Sequence, residues 1–123
     1  MNDVIPPDVR EFIIRHIDSV SQLEALLMLH AHPEENWEVG RIASRVYASD
    51  RELGVVLDRF AAEGFLAREG EFYRYRANDP AIDRTIAELA RCYASHLIPV
   101  TNMIHSKPRG MRSFSDAFKL RKD

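Results

Sequence analysis

Residues 49–75 read SDRELGVVLDRFAAEGFLAREGEFYRY, and the order of signals in this stretch decides the fold. Ser49 with Glu52 three residues later is a capping box, the pairing that satisfies the free N–H groups at a helix start. Leu53, Val56, Leu57 and Phe60 then recur at helical spacing and give that helix one apolar face. Gly64 follows, free to take the left-handed conformation in which helices commonly stop. Two short runs come next, Leu66 to Arg68 and Phe72 to Tyr75, with Glu69-Gly70-Glu71 between them. Aromatic residues and a glycine turn in that spacing predict a β-hairpin.

Upstream, Pro6-Pro7-Asp8 opens a first helix, because proline suits the first turn where no backbone donor is needed. Val9, Phe12, Ile13 and Ile17 carry it to about residue 17. Ser19 with Gln22, or Ser21 with Glu24, restarts the chain as a capping box. Leu23, Leu26, Leu27, Met28 and Leu29 are apolar on more than one side, which predicts a helix sandwiched between others. Pro33 stops it. Val39, Ile42, Ala43 and Val46 define a short third helix, with Asn36 as its predicted N-cap and Trp37 anchored in the core.

Downstream, Asp79 and Pro80 start a long helix. Ile82, Ile86, Leu89, Tyr93, Leu97, Val100 and Ile104 form an almost continuous apolar seam along it. Pro99 predicts a kink or a division, since it removes a donor and crowds the preceding turn. The reading is a mainly α fold with one small hairpin: a domain over residues 1–106, with core 20–76 and C-terminal helix 79–105, and a basic tail over 107–123.

The chain of 123 residues is 46% hydrophobic and 29% charged, an ordinary globular balance. Its net charge of −2 is unlike that of most free-standing nucleic-acid-binding domains, which are clearly basic. The charge is unevenly spread: residues 1–48 carry eight acids and four bases, residues 107–123 six bases and two acids. The single cysteine, Cys92, excludes an internal disulfide and any Cys-x-x-Cys zinc ribbon. Residues 1–7 lack the features of a signal peptide and no apolar run approaches the ~20 residues of a membrane span, so the expectation is a cytoplasmic protein. His30 and His32 with Glu34 and Glu35 are the one metal-like cluster, and beside Pro33 they read as a polar helix end. His96 and His105 read as structural or solvated. With no phosphate loop, nucleophile elbow or paired-carboxylate pattern, neither an enzyme nor a cofactor is expected.

Helix, short helix, Ser49-capped helix, Gly64, hairpin, long helix: this order resembles the winged helix-turn-helix domains of bacterial transcription regulators, including the MarR-like group. The likeness is carried by residues 20–75, above all by Ser49-x-x-Glu52, Leu57, Phe60, Glu63-Gly64-Phe65-Leu66 and Arg74-Tyr75. It implies that the Ser49 helix is the DNA-reading helix, that the hairpin is the wing, and that the first and last helices make a dimer. Because winged helices also serve as protein-binding modules, the likeness speaks to fold more than to function.

A reading helix meets base edges with its outward side chains, and arginine, lysine, asparagine and glutamine are the informative ones. Rotation by 100° per residue puts Arg51, Val55, Asp58 and Ala62 outward, a poor reading face in which Asp58 has the wrong sign for phosphate. Gly54 costs about 1 kcal/mol against alanine inside a helix, which suggests a close backbone approach there. Ser49, Arg51, Arg59, Arg68, Arg74 and Arg76 form the candidate DNA-binding set. The alternative for the wing arginines is solvation, or pairing with Glu69 and Glu71. The seam from Ile82 to Ile104 is the candidate dimer interface, or else packs internally. In the tail, Arg112, Phe114, Phe118, Lys119 and Arg121 are candidate docking residues, the phenylalanines falling on one side of a short helix. A frayed end and a membrane-surface role are the alternatives. The leading expectation is a dimeric DNA-binding regulator. Its rival is a winged-helix protein-interaction module that does not touch DNA.

Overall fold

The computed structural model describes residues 4–107, and these run α1 (Pro7–His16), α2 (Val20–Ala31), β1 (Trp37–Glu38), α3 (Val39–Val46), α4 (Asp50–Ala62), β2 (Leu66–Glu69), β3 (Phe72–Tyr75), α5 (Pro80–Ser95) and α6 (Leu97–Ser106). The tail residues proposed for docking, Arg112, Phe114, Phe118, Lys119 and Arg121, lie outside the described residues. No described helix is long and apolar enough to cross a membrane.

The helix starts follow the local chemistry. Ser19 Oγ accepts from the Gln22 amide at 3.2 Å, and Gln22 Oε1 accepts from the Asp18 amide at 2.9 Å. Ser49 Oγ accepts from the Glu52 amide at 3.1 Å, and Asp79 accepts from the Ala81 amide at 2.8 Å with Pro80 beside it. α4 stops at Gly64, whose φ of +92° lets the Phe65 amide reach back to the Phe60 carbonyl at 3.0 Å. A Cβ at residue 64 would lie 2.6 Å from the exposed Asn78 side chain, which would have to swing aside, and the positive φ itself favours glycine.

α2 lies in the middle of the fold, with Leu23, Ala25, Leu26 and Leu29 fully buried, and packs on α3, α5 and β3. Its all-round apolar character is what a central helix needs. Below it, Phe12, Phe60 and Phe65 stack with centroids 5.1 and 5.7 Å apart, joining α1, α4 and the start of the hairpin.

The hairpin has a third strand that the sequence reading lacks. β1 pairs antiparallel with β3, Trp37 opposite Tyr73 and Glu38 opposite Phe72, giving the order β1-β3-β2. Asn36 is therefore not the cap of α3: the cap position falls on Glu38, without a side-chain hydrogen bond, because residues 37 and 38 are spent on the sheet. Trp37 is buried as expected, with the Arg41 guanidinium 4.1 Å above its ring.

The long C-terminal helix is divided, three residues before Pro99. In an unbroken helix the Pro99 ring would crowd the Ser95 carbonyl. The chain instead turns at His96 (φ −134°, ψ 57°), and Pro99 falls in the first turn of α6, where it has no hydrogen bond to lose. Most of the apolar seam is covered within the chain. Ile86, Leu89, Val100 and Ile104 are buried and Ile82 packs on the core. Tyr93 donates to Glu24 on α2 at 2.8 Å. Four of the seam residues are thus covered within the chain, Ile82 and Tyr93 are partly covered, and Leu97 is exposed.

Lys107, counted with the tail in the sequence reading, reaches back into the fold. Its ammonium, with three N–H donors, lies among four acceptors: the carbonyls of Ile13 (3.2 Å), Ile14 (3.1 Å) and Ile17 (2.5 Å) and the Asp18 carboxylate (3.0 Å). The Ile13 carbonyl already accepts from the Ile17 amide at 3.0 Å, so what Lys107 adds there is a cation at the helix C-terminus, where the dipole favours positive charge. Lys107→Met keeps the aliphatic stem and removes these bonds, so it should lower unfolding free energy by about 1.5–3 kcal/mol. Urea unfolding followed by circular dichroism measures it, and an unchanged midpoint would show the contacts to be idle.

Candidate nucleic-acid interface

α3 and α4 meet at a turn built from Tyr47, Ala48 and Ser49. Tyr47 holds the left-handed conformation (φ +58°), uncommon for a bulky side chain, and its ring is 94% exposed. Ser49 caps the helix that follows, so its hydroxyl is already engaged by the Glu52 amide. On α4, Leu53, Leu57 and Phe60 are buried, and Arg51, Val55, Asp58 and Ala62 are all exposed, the rotation that the spacing predicts. Gly54 does not mark a close approach within the chain: nothing lies within 4 Å of where its Cβ would be.

The six candidate DNA-binding residues fall into separate groups. Arg59 points inward. It donates to the His16 carbonyl at 2.7 Å and to Gln22 at 3.4 Å, and lies 3.6 Å from Asp18. It therefore ties α4 to the end of α1, and those partners lie more than 35 positions away in sequence, beyond any local pattern.

Arg68 is also committed, to a partner the sequence did not suggest. It pairs with Asp58 at 2.7 Å, not with Glu69 or Glu71, and donates to the Gly70 carbonyl at 2.9 Å. Tyr73 donates its hydroxyl to the same Asp58 oxygen at 2.5 Å. The outward carboxylate of α4 is thereby neutralised, at the cost of one wing arginine. Burial first, then the Asp58 hydrogen bond and charge, push the Tyr73 phenol up to about 12.

Arg51, Arg74 and Arg76 have no side-chain partner among the described residues. They come from separate parts of the chain, the start of α4 and the end of the hairpin. Tyr73 and Tyr75 are buried while Phe72 and Arg76 are exposed, so the alternation of β3 puts Arg74 and Arg76 on the sheet face away from the core. Arg51 stands at the first turn of α4.

Beside Arg51 an open groove of about 950 Å³ runs between the start of α2 and α4. Asp18, Tyr47, Ala48, Glu52, Val55 and Val56 are among its lining residues. Sequence reasoning missed it, although Val55 (68% exposed) was read as outward.

Other reactive groups are placed quietly. Cys92 is buried, and burial ahead of the Glu88 charge raises its thiol pKa, which disfavours the reactive thiolate. His32, Glu34 and Glu35 bring ligand atoms within 4.8 Å of one another at the surface, where Glu35 also pairs with Arg41. His30 stands apart, its ring edge-on to Tyr75 at 4.9 Å.

Asp58→Asn should release Arg68 and bring the Tyr73 pKa down towards its ordinary 10.0, though not to it, since burial is the larger cause. Because the folded phenol holds its proton more tightly than the unfolded one, its contribution is full below pH 10 and fades towards 12. At neutral pH the half-exposed pair should cost about 1 kcal/mol or less. Carbon-13 NMR of the Tyr73 ring through an alkaline titration checks the shift, and an unmoved midpoint in Asp58→Asn would contradict the assigned cause.

No family model matches the sequence, and no curated protein matches it. Among solved structures, the fold is similar to that of the MarR family protein Rv2887 of Mycobacterium tuberculosis. The two share 15% identity over 98% of this chain and 86% of that one, with a TM-score of 0.53. Rv1404 of Mycobacterium tuberculosis also aligns, at 15% identity over 90% of this chain and 82% of that one, with a TM-score of 0.49. The element order, the hairpin and the likeness to Rv2887 agree: the chain has a winged-helix fold of the MarR-like kind.

Proposed function

We propose that this chain is a cytoplasmic winged-helix transcription regulator that meets DNA with the first turns of α4 and with its wing. The observation that carries the reading is the bare outer side of α4. Arg51, Val55, Asp58 and Ala62 all face solvent, and the exposed Arg51 has no side-chain partner among the described residues. Pairing of Asp58 with Arg68 removes the repulsion that a free carboxylate would exert on phosphate. Arg74 on β3 and Arg76 just after it supply further positive charge, without a side-chain partner among the described residues. Arg59 leaves the contact set, because its guanidinium group is turned to the end of α1, and Arg68 takes a lesser part because it is paired with Asp58.

Attraction to phosphate is strongest at low salt. In mobility-shift assays at ~50 mM salt, genomic fragments should be retarded, and no retardation of any fragment would end this reading. Arg74→Ala should weaken all fragments alike and lower the salt slope by about 1, as loss of one phosphate contact does. Arg51→Ala should instead cost ~1–3 kcal/mol on the preferred fragment and relax its sequence preference.

A regulator of this kind would act as a homodimer on a two-fold site. The seam of α5 and α6 is largely used up inside the chain, so the dimer contact is assigned to what stays exposed: Val4 (43%), Leu97 (49%) and Ile98 (63%). Ile98→Asp should convert a dimer to a monomer in sedimentation-velocity runs without loss of helix content. A wild-type protein that sediments as a monomer throughout the micromolar range would remove the dimer from the proposal.

One observation favours the protein-interaction reading: Tyr47 and Val55 put exposed apolar surface on the reading-helix side of the fold. A phosphate backbone gains little from either.

A further inference from the structure

We infer that the groove between α2 and α4 is a docking site for this chain's own C-terminal tail, residues 108–123, with Phe114 and Phe118 as the anchors.

The groove offers apolar contact more than charge. Tyr47, Val55 and Val56 line it, and Tyr47 and Val55 are 94% and 68% exposed. Its ionic groups are two carboxylates, Asp18 and Glu52, and two guanidinium groups, Arg51 and Arg59. Arg59 is already matched by Asp18 and Glu63. A polyanion finds no net attraction inside such a groove, whereas an aromatic side chain finds a surface to cover.

The point at which the described chain ends selects the occupant. Lys107 is held with its amine 3.0 Å from the carboxylate of Asp18, which lines the groove. The backbone from which the tail continues thus lies within one lysine side-chain length of the rim of the site. Phe114 lies seven positions beyond Lys107, a reach of about 23 Å when extended. The groove-lining part of α4, Arg51 to Arg59, is only about 12 Å long at 1.5 Å per residue. Both phenylalanines therefore reach it. A tether this short holds the tail at an effective concentration in the millimolar range, which a free partner of modest affinity would not match.

A tail seated there covers Arg51 and Val55. Docking itself does not depend on the proposed function, but its consequence does: if α4 reads DNA, the seated tail competes with DNA for the same side of the helix.

The test uses the full chain. A nitroxide spin label is placed at Ser115→Cys in a Cys92→Ser background, and broadening of amide signals is mapped by NMR. Tyr47, Ala48, Glu52, Val55 and Val56 should lose most of their intensity, and adding Phe114→Ala with Phe118→Ala should restore it. Broadening spread evenly over the surface, or centred on Leu97 and Ile98, would overturn the assignment. Mixing isotope-labelled, unspinlabelled protein with spin-labelled, unlabelled protein separates the sources. Broadening of the groove in that mixture places a second copy's tail there and overturns docking within one chain. Should the Cys92→Ser background fail to fold, groove amide shifts between wild type and Phe114→Ala/Phe118→Ala decide the matter. No change at residues 47–56 would count against docking. All these readings are made without DNA, so they stand or fall independently of the mobility-shift result.

Discussion

The end of α1 is the constraint around which the functional side of this fold is arranged. A helix leaves its last carbonyls unpaired, and burying them beside an aromatic cluster without partners would be costly. Two cations meet that need from far along the chain. Arg59 of α4 takes the His16 carbonyl, Lys107 takes those of Ile13, Ile14 and Ile17, and Asp18 faces both. One bond fixes how α4 rolls on the body of the domain. The other fixes where the chain leaves α6. The groove beside α4 is the space left between them.

That arrangement explains why so basic a set of residues yields so modest a positive surface. Of the arginines on α4 and the hairpin, Arg59 closes the helix end and Arg68 cancels Asp58. Arg51, Arg74 and Arg76 remain without a side-chain partner among the described residues. The outer side of α4 is close to neutral, small in relief and partly apolar. Such a surface suits recognition by shape with a few phosphate contacts better than dense readout of base edges.

What was legible in the sequence was what local chemistry dictates. Ser19, Ser49 and Asp79 cap helices because a side-chain oxygen placed there can reach an amide two or three residues on. Gly64 and Gly70 hold positive φ where the chain must turn. The exposed side of α4 followed from the helical repeat alone. What was not legible depended on partners distant in sequence. β1 is two residues long and exists only because β3 lies alongside it, so Asn36 looked like the better helix start. Arg59 sits between the core and solvent sides of α4, a position from which periodicity cannot say which way a long side chain turns. The apolar seam of α5 and α6 was seen correctly, but spacing does not reveal whose surface covers it. Here α1 and α2 do much of the covering, leaving Leu97 and Ile98 outside.

The central claim is that the outer side of α4, together with β3, is the working surface of the domain. Its most direct test is a titration of isotope-labelled full-length protein with a short DNA duplex at low salt, followed by amide NMR. The account predicts shifts confined to residues 49–58 and 72–76, with Arg51, Val55, Arg74 and Arg76 among the largest. Shifts concentrated on α1, α5 or α6, with those two segments unmoved, would contradict it.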